Sequence, residues 1–282
     1  MNVQRVTGPI AYHAEGPVWS AGWGGLRWVD MLAGDVLSLT VDGRVERRHV
    51  GEVAAAVRPR RGGGAVIGVE RGFVLEGPDG SLSPAIPAWE APGMRMNEGG
   101  CDPHGRFYCG SMAYDRRPGG AALYRLDPDR SVHLVLDGVT ISNGLDWSPD
   151  GTRAYYNDTE TGRIDTFDYS RDNGLTNRRS FAVVVEADGH PDGLTVDAEG
   201  GVWVALNGGG AIRRYAPDGS LDLVLEMPTR HVTACAFGGP ELRTLFVTTS
   251  REHASGNEDP IAGSLLAAEP GVKGRAVREF AG

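Results

Sequence analysis

The chain consists of six similar units, each of which contains a short alternating segment that closes on a tight turn rich in Gly, Pro and Asp. The turn is followed by a second apolar segment, as in P-D-G-L-T-V-D-A-E-G-G-V-W-V-A, so each unit begins with a β-hairpin. We define the ring position of a unit as the residue five places before its turn. Along the chain the six ring positions are Glu15, Val53, Asn97, Asn143, Asp192 and Thr233, at intervals of 38 to 49 residues.

A second hairpin is predicted in every unit, because another alternating segment with its own turn follows the first. Residues 36–39, for example, precede the Asp42-Gly43 turn, in which Gly reaches positive φ at little cost. The same pattern recurs at residues 72–75, 123–126, 164–167, 212–215 and 263–266, the last before a predicted turn at residues 269–271. Six units of two hairpins therefore predict 24 strands.

Repeats of 40 to 50 residues with four short strands each are typical of β-propellers. No helical apolar periodicity is sustained, and 42 Gly and 17 Pro leave little room for long helices. The fold class predicted is all-β, a six-bladed β-propeller formed by residues 1–282 as a single domain. A seventh blade would need another hairpin pair, and no segment is left to supply one.

Composition excludes several classes of function. A net charge of -9 argues against nucleic acid as a partner, since such binding needs a basic surface. The basic run at residues 58–61 lies in a predicted turn and is expected to be a solvated loop. Neither a signal peptide nor an apolar span is evident, so a cytoplasmic protein without membrane contact is expected, with no indication of its oligomeric state. Three cysteines without metal or redox spacing are expected to be buried thiols.

Four of the ring positions carry side chains with an oxygen that can bind a metal ion. Blades are related by rotation about a central channel, so equivalent positions converge on its axis. Carboxylate and amide oxygens suit a hard cation such as Ca²⁺, Mg²⁺ or Mn²⁺, and Zn²⁺ less well. The alternative is that Asn and Asp precede Gly here only because they form turns. The four residues are Glu15, Asn97, Asn143 and Asp192.

Several of these segments resemble the gluconolactonase/regucalcin family, also called the senescence-marker-protein family. The similarity is carried by A-E-G-P-V-W from Ala14, R-M-N-E-G-G-C-D-P-H-G-R-F-Y-C-G-S-M from Arg95, I-S-N-G-L-D-W-S-P-D-G from Ile141, and P-D-G-L-T-V-D-A-E-G-G-V-W-V-A from Pro191. These motifs are long, and they occur in the family's order from Glu15 onwards.

The resemblance implies a six-bladed propeller that holds one divalent cation at the channel mouth and hydrolyses sugar lactones. Ca²⁺ is favoured over Zn²⁺, Mg²⁺ and Mn²⁺. Two departures from the family pattern affect the predicted pocket: Asp115 replaces a Glu of some members, and Glu98 replaces the Asp of N-D-G. Matched by motif, the metal ligands are Glu15, Asn143 and Asp192, and the substrate-binding residues are Arg95, Asn97 and Asp115.

The residue types suggest a mechanism. The cation would polarise the lactone carbonyl, and Asp192 would act as general base toward water or only orient that water. Arg95 and Asn97 would bind substrate hydroxyls. Glu98 is expected to shape a loop rather than to point into the pocket. Two alternative functions stay open: an aryl esterase or organophosphate hydrolase, and a non-catalytic Ca²⁺-binding regulatory propeller.

Aromatic residues and histidines near the repeats are assigned mainly to packing. Trp residues within the hairpins are expected to fill the core between blades, whereas Trp89 lies in a loop and is a weaker candidate for a substrate lid. His190 and His231 each lie two residues before a ring position. Loop packing is favoured for both histidines, with pocket lining as the alternative.

Overall fold

The computed structural model describes residues 2–252, 254 and 259–282. These residues form six four-stranded antiparallel sheets arranged as the blades of a β-propeller, which confirms the predicted fold class. No α-helix occurs in these described ranges; the helical turns are 3-10 turns at Ala21–Trp23, Met31–Ala33, Thr159–Thr161 and Glu186–Asp188.

Blades 1 to 3 follow one another along the chain, and in each the first strand lies innermost. Blade 1 contains β2 (Ala14–Ser20), β3 (Gly25–Asp30), β4 (Asp35–Leu39) and β5 (Val45–His49). Blade 2 contains β6 (Ala54–Pro59), β7 (Ala65–Val69), β8 (Gly72–Glu76) and β9 (Ile86–Pro87). Blade 3 contains β10 (Met94–Cys101), β11 (Phe107–Ala113), β12 (Ala121–Leu126) and β13 (Val132–Val139).

Blades 4 and 5 repeat this order, and blade 6 joins the two ends of the chain. Blade 4 contains β14 (Ser142–Trp147), β15 (Arg153–Asp158), β16 (Arg163–Ser170) and β17 (Gly174–Val183). Blade 5 contains β18 (His190–Val196), β19 (Val202–Asn207), β20 (Ala211–Tyr215) and β21 (Leu221–Glu226). Blade 6 contains β22 (Val232–Gly238), β23 (Thr244–Thr249), β24 (Leu265–Ala268) and β1 (Val3–Arg5).

The outer strand of blade 6 comes from the N-terminal segment. Val3 pairs with Ala268 and Arg5 with Leu266, so β1 completes the sheet that β22 to β24 begin. The predicted sixth outer hairpin with a turn at residues 269–271 is therefore wrong, since residues 269–279 form no strand. Closure by the N-terminal strand hydrogen-bonds an edge that would otherwise be exposed.

The inner strands carry a register shift at the ring position or, in blade 2, just after it. In blade 4 the shift lies between Ser142 and Leu145, and in blade 5 between Pro191 and Leu194. Comparable shifts occur in the inner strands of blades 1, 2, 3 and 6. The Asn-Gly and Asp-Gly pairs therefore lie in bulged strands and not in hairpin turns, which rules out the turn-forming explanation. A bulge redirects a side chain, here toward the channel.

The C-terminal segment, residues 269–282, crosses one end of the channel. The Arg275 guanidinium lies 2.9 Å from Asp146 Oδ2, Phe280 is fully buried, and Arg60 donates to the Gly282 carbonyl. Arg58 lines a small cavity near the axis beneath this segment. The expected solvated loop at residues 58–61 is therefore wrong for Arg58 and Arg60, both half-buried.

Aromatic side chains fill the core between blades as predicted. Trp28, Trp147 and Trp203 are fully buried, and Trp19 stacks on Phe246 with ring centroids 6.4 Å apart. All three cysteines are buried free thiols, which confirms that expectation. No helix within the described ranges is long and apolar enough to cross a membrane.

Candidate active site

A cavity of about 320 Å³ opens at the end of the channel opposite the C-terminal segment. The inner strands and the residues directly before them supply most of its polar lining, because these strands contact one another around the axis. The residues that line it include His13, Glu15, Arg95, Asn97, Met112, Arg116, Ile141, Asn143, Thr159, Glu160, His190, Asp192, Asn207 and His231. Five of the six predicted site residues are among them.

The lining is organised in two levels along the inner strands. The lower level contains the four ring residues with a carboxylate or amide side chain, all buried. The upper level contains the residues two places earlier, because alternate residues of a strand face the same side. The upper-level residues that line the cavity are His13, Arg95, Ile141, His190 and His231.

Glu15 and Asp192 are two buried carboxylates on the same cavity floor. Burial, together with the negative charges of Asp192 and Glu98, raises the pKa of Glu15 well above its usual value. Burial is also the main cause that raises the pKa of Asp192 to about 7, opposed by the hydrogen bond from Asn207. Both shifts arise because desolvation and like charge disfavour the ionised form. A bound cation would reverse these effects.

Asn143 is oriented by a hydrogen bond from its amide nitrogen. Thr159 Oγ1 donates to the Pro191 carbonyl at 2.9 Å and accepts from Asn143 Nδ2 at 2.9 Å. Because Thr159 Oγ1 gives its proton to the Pro191 carbonyl, it can only accept from Asn143. The Asn143 amide nitrogen therefore faces Thr159, and the amide oxygen faces away from it. Asn143 Oδ1 is buried and has no hydrogen-bond partner in the structure.

Asp192 shows the same combination of one bonded and one unpaired atom. Its Oδ2 accepts from Asn207 Nδ2 at 3.0 Å, while its buried Oδ1 has no hydrogen-bond partner. Buried oxygens without partners are unusual and require an explanation. The donor set of two carboxylates and one amide fits a hard divalent cation held by Glu15, Asn143 and Asp192. Among the described residues, no cluster of three or more His, Cys, Asp or Glu side chains suits a metal ion, so the amide oxygen is essential to this set.

Arg95 and Asn97 form a bonded pair on the blade 3 side of the cavity. Arg95 Nη1 lies 2.6 Å from Asn97 Oδ1, and Asn97 Nδ2 donates to the Ser142 carbonyl at 2.9 Å. The Asn97 amide therefore links blade 3 to blade 4. Burial lowers the pKa of Arg95, yet the guanidinium keeps Nε and Nη2 without a hydrogen bond to any described residue. These two nitrogens can donate to a ligand.

The structure does not bring Asp115 into the cavity. Asp115 follows the end of β11 in an exposed turn, and its carboxylate lies 3.0 Å from Arg117 Nη1. Its neighbour Arg116 lines the cavity instead. Trp89 also lies elsewhere, stacked on Tyr124 at 5.0 Å between ring centroids, which is a packing role.

Glu98 lies in β10 and points away from the main cavity. It lines a separate cavity of about 70 Å³ near the channel axis, together with Arg58 and Asp146. Its Oε2 is buried without a hydrogen-bond partner, and burial raises the pKa of Glu98 to about 8. Glu98 therefore does not point into the main cavity, as expected, but it lies in a strand and not in a loop.

Several residues of the site were not predicted from the sequence. Thr159 and Asn207 orient the predicted ligands but come from segments outside the inner strands. His13 lies two residues before Glu15, with Nδ1 2.7 Å from Ser250 Oγ and Nε2 3.8 Å from Glu15 Oε1. His190 and His231 were singled out because each lies two residues before a ring position. The same spacing holds for His13 and could have identified it.

The family model described as the SMP-30/Gluconolactonase/LRE-like region matches residues 13–251. The matched span contains every residue of the two cavity levels. The chain belongs to this family.

Two relatives and one solved structure illustrate the similarity. Regucalcin of Danio rerio is 37% identical, with 84% of this chain and 82% of that protein covered. A 6-deoxy-6-sulfogluconolactonase of Pseudomonas putida is 34% identical, with 95% and 94% covered. The crystal structure of a calcium-binding protein, regucalcin, from Agrobacterium tumefaciens matches with a TM-score of 0.92 at 26% identity, over 99% of this chain and 97% of the other.

Proposed function

We propose that this family member hydrolyses a sugar lactone to the aldonic acid with the help of one divalent cation, Ca²⁺ in preference to Zn²⁺, Mg²⁺ or Mn²⁺. The observation that carries the proposal is the pair of unpaired buried oxygens, Asn143 Oδ1 and Asp192 Oδ1, beside Glu15 on the floor of an open cavity. The lactonase name of a relative aligned over nearly the whole chain supports the same reaction.

The chain's own residues divide into those that hold the cation and those that bind the sugar. Glu15, Asn143 and Asp192 would hold the cation, which when bound supplies a Lewis acid for the lactone carbonyl. Arg95 donates from Nε and Nη2 to substrate oxygens. Asn97 contributes mainly by holding Arg95, because its own amide is already bonded at both ends.

Asp192 is the proposed general base. Its Oδ1 would use one lone pair toward the cation and the other to accept the proton of the attacking water, while Asn207 Nδ2 holds Oδ2 and so fixes the direction of Oδ1. Water then adds to the carbonyl carbon, the ring ester C–O bond breaks, and the ring oxygen leaves as a hydroxyl after protonation. The proton passes back from Asp192, so the carboxylate is regenerated.

The proposal is tested with aldonolactones of five- and six-membered rings in a pH-stat assay. Activity should disappear with a chelator and return with Ca²⁺. Asp192→Asn should lower kcat at least about 100-fold, as expected for loss of a general base. Asp218→Asn, an exposed turn residue, is the matched control and should keep full activity. A rate equal to that of buffer across the lactone panel would refute the proposal.

A Ca²⁺-binding propeller without turnover is the second candidate, favoured by the regucalcin relatives. It predicts that Ca²⁺ raises the melting temperature through the same three ligands while no lactone is hydrolysed. Calorimetric Ca²⁺ titration beside the lactone assay separates the two. The charged and amide side chains of the cavity give no specific support to an aryl ester as substrate.

A further inference from the structure

His190 and His231 form one polar wall at the upper level of the cavity. His190 begins β18, the inner strand of blade 5, and His231 directly precedes β22, the inner strand of blade 6. The two strands are neighbours around the axis, since β18 contacts β22. His190 is exposed and His231 is half-buried, so both rings can be reached from the cavity. Six blades place blade 6 across the channel from blade 3, and therefore place His231 opposite Arg95.

The backbone beneath both histidines is firmly held. Asn207 pairs with His190 in the ladder between β18 and β19 and also forms a β-bridge with His231. The His231 amide donates to Thr229 Oγ1 at 3.2 Å. Asn207 is thus the common neighbour of both histidines and of Asp192. Side chains on such ordered elements keep the positions that ligand recognition needs.

The imidazoles differ from that of His13, which occupies the same register. His13 Nδ1 lies 2.7 Å from Ser250 Oγ, so that ring is used inside the protein. No hydrogen bond joins the ring of His190 or His231 to any residue that the structure describes. A neutral imidazole donates at one nitrogen and accepts at the other, so it can accept a hydrogen bond from a sugar hydroxyl or donate one to it.

We propose that His190 and His231 bind the exocyclic hydroxymethyl group of a six-carbon lactone and make this class of substrate preferred over five-carbon lactones. The inference rests on the proposed function. In the proposed pose the lactone carbonyl lies at the oxygens of Glu15, Asn143 and Asp192, and the hydroxyls of the sugar ring face Arg95. The remaining substituent of the sugar then points toward the opposite wall. A cavity of about 320 Å³ has room for this group.

The test compares kcat/KM for hexono-1,5-lactone and pentono-1,5-lactone of the same ring configuration. Loss of one hydrogen bond should lower the hexono-to-pentono ratio about three- to tenfold in His190→Leu and in His231→Leu, mainly through KM. His231→Asn, which keeps a donor and an acceptor, should restore part of the ratio. His133→Leu removes a histidine from outer strand β13 and should leave the ratio unchanged.

A binding measurement keeps the inference separate from the proposed reaction. Calorimetry with the six- and five-carbon aldonolactams, in the presence of Ca²⁺, measures recognition without turnover. Wild-type protein should bind the six-carbon lactam more tightly than the five-carbon lactam. The double variant His190→Leu, His231→Leu should bind the two lactams with equal affinity. Equal binding by the wild type, or an unchanged preference in the double variant, would overturn the inference even if lactones are hydrolysed. Selective lactam binding without hydrolysis would instead contradict the proposed function.

Discussion

At the scale of single residues, the site depends on hydrogen bonds that leave particular oxygens unpaired. Asn143 and Asp192 each use one polar atom to bond a neighbour, Thr159 or Asn207, and keep the other free on the cavity floor. The partner fixes the orientation, so in the proposed cation site the ligand atom would be in place before a cation binds. Partners that orient ligands in this way commonly affect affinity by 10- to 100-fold.

Thr159→Val tests this orienting role. Valine keeps the shape but cannot accept from Asn143 Nδ2, so the amide loses its anchor. We expect Ca²⁺ affinity to fall about tenfold with little change in secondary structure. Thr161→Val is the control, because the Thr161 hydroxyl also donates to a backbone carbonyl, that of Asp158, but lies outside the cavity lining. Calorimetric titration that gives equal affinities for the two variants would contradict the role of Thr159.

The two buried carboxylates predict that Ca²⁺ binding weakens in acid. The pKa of Asp192 is about 7 and that of Glu15 is raised well above its usual value, mainly through burial, so protons occupy the site as pH falls below 7. Ca²⁺ must displace these protons. The apparent Kd should rise up to about tenfold per pH unit for each proton displaced. Titrations in buffers of different ionisation enthalpy count the protons released, and a Kd that is constant from pH 5 to 8 would contradict this account.

The buried carboxyl of Glu98 makes the stability of the protein depend on pH. Burial raises its pKa to about 8, above its value in the unfolded chain, so its contribution is complete below about pH 4.5 and is lost as pH rises through 8. Glu98→Gln should remove this dependence and be more stable than wild type above pH 8, by on the order of a few kcal/mol. Urea unfolding in chelator from pH 5 to 9 measures the difference. Glu226→Gln, an exposed control, should follow the wild-type curve.

At the scale of elements, close packing of the bulged inner strands explains why glycine follows two of the ring residues, Asn143 and Asp192. A Cβ on Gly193 would lie 2.4 Å from Ala234 Cβ on the neighbouring inner strand, and one on Gly144 would lie 2.5 Å from the Leu194 amide nitrogen. Glycine therefore allows adjacent blades to approach closely at the level of the site. The same close packing sets how near the ring residues come to one another.

Gly193→Ala should disturb this contact between blades 5 and 6. An added methyl in a closely packed interface typically costs about 1–3 kcal/mol, and here it also displaces Asp192. We expect a loss of about 2 kcal/mol in the free energy of unfolding and weaker Ca²⁺ binding. Gly8→Ala, whose Cβ would have nothing within 4 Å, is the matched control and should change neither. Unfolding free energies from urea titration that coincide for the two variants would refute the packing argument.

The sequence predicts the strands better than it predicts the hydrogen bonds between site residues and other segments. Strand alternation and turn residues are local signals, so the six inner hairpins and the convergence of Glu15, Asn97, Asn143 and Asp192 follow from spacing alone. Thr159 and Asn207 are separated from the residues they orient by 16 and 15 positions and come from other segments, so no local pattern identifies them. The position of Arg58 was also missed, because turn composition does not show which way a bulged strand directs a long side chain.

At the scale of the whole molecule, ring closure joins the two ends of the chain. The short strand β1 gives blade 6 its fourth strand, while the C-terminal segment closes the other end of the channel by ion pairs with Asp146 and by burial of Phe280. Three residues cannot be recognised as a strand from their pattern, which is why the sequence placed the last strand after residue 268. Both termini thus contribute to one closed ring.

Deletion of residues 1–5 tests whether this closure depends on the backbone of β1. Removal of the strand leaves β24 as an unpaired edge, and such edges pair with other chains. We expect a lower melting temperature, together with concentration-dependent association that sedimentation detects. The double variant Gln4→Ala, Arg5→Ala removes two exposed side chains but keeps the ladder of backbone hydrogen bonds, and it should melt near the wild type as a species of unchanged size. If the truncated and double variants behave alike, side chains rather than strand pairing close the propeller.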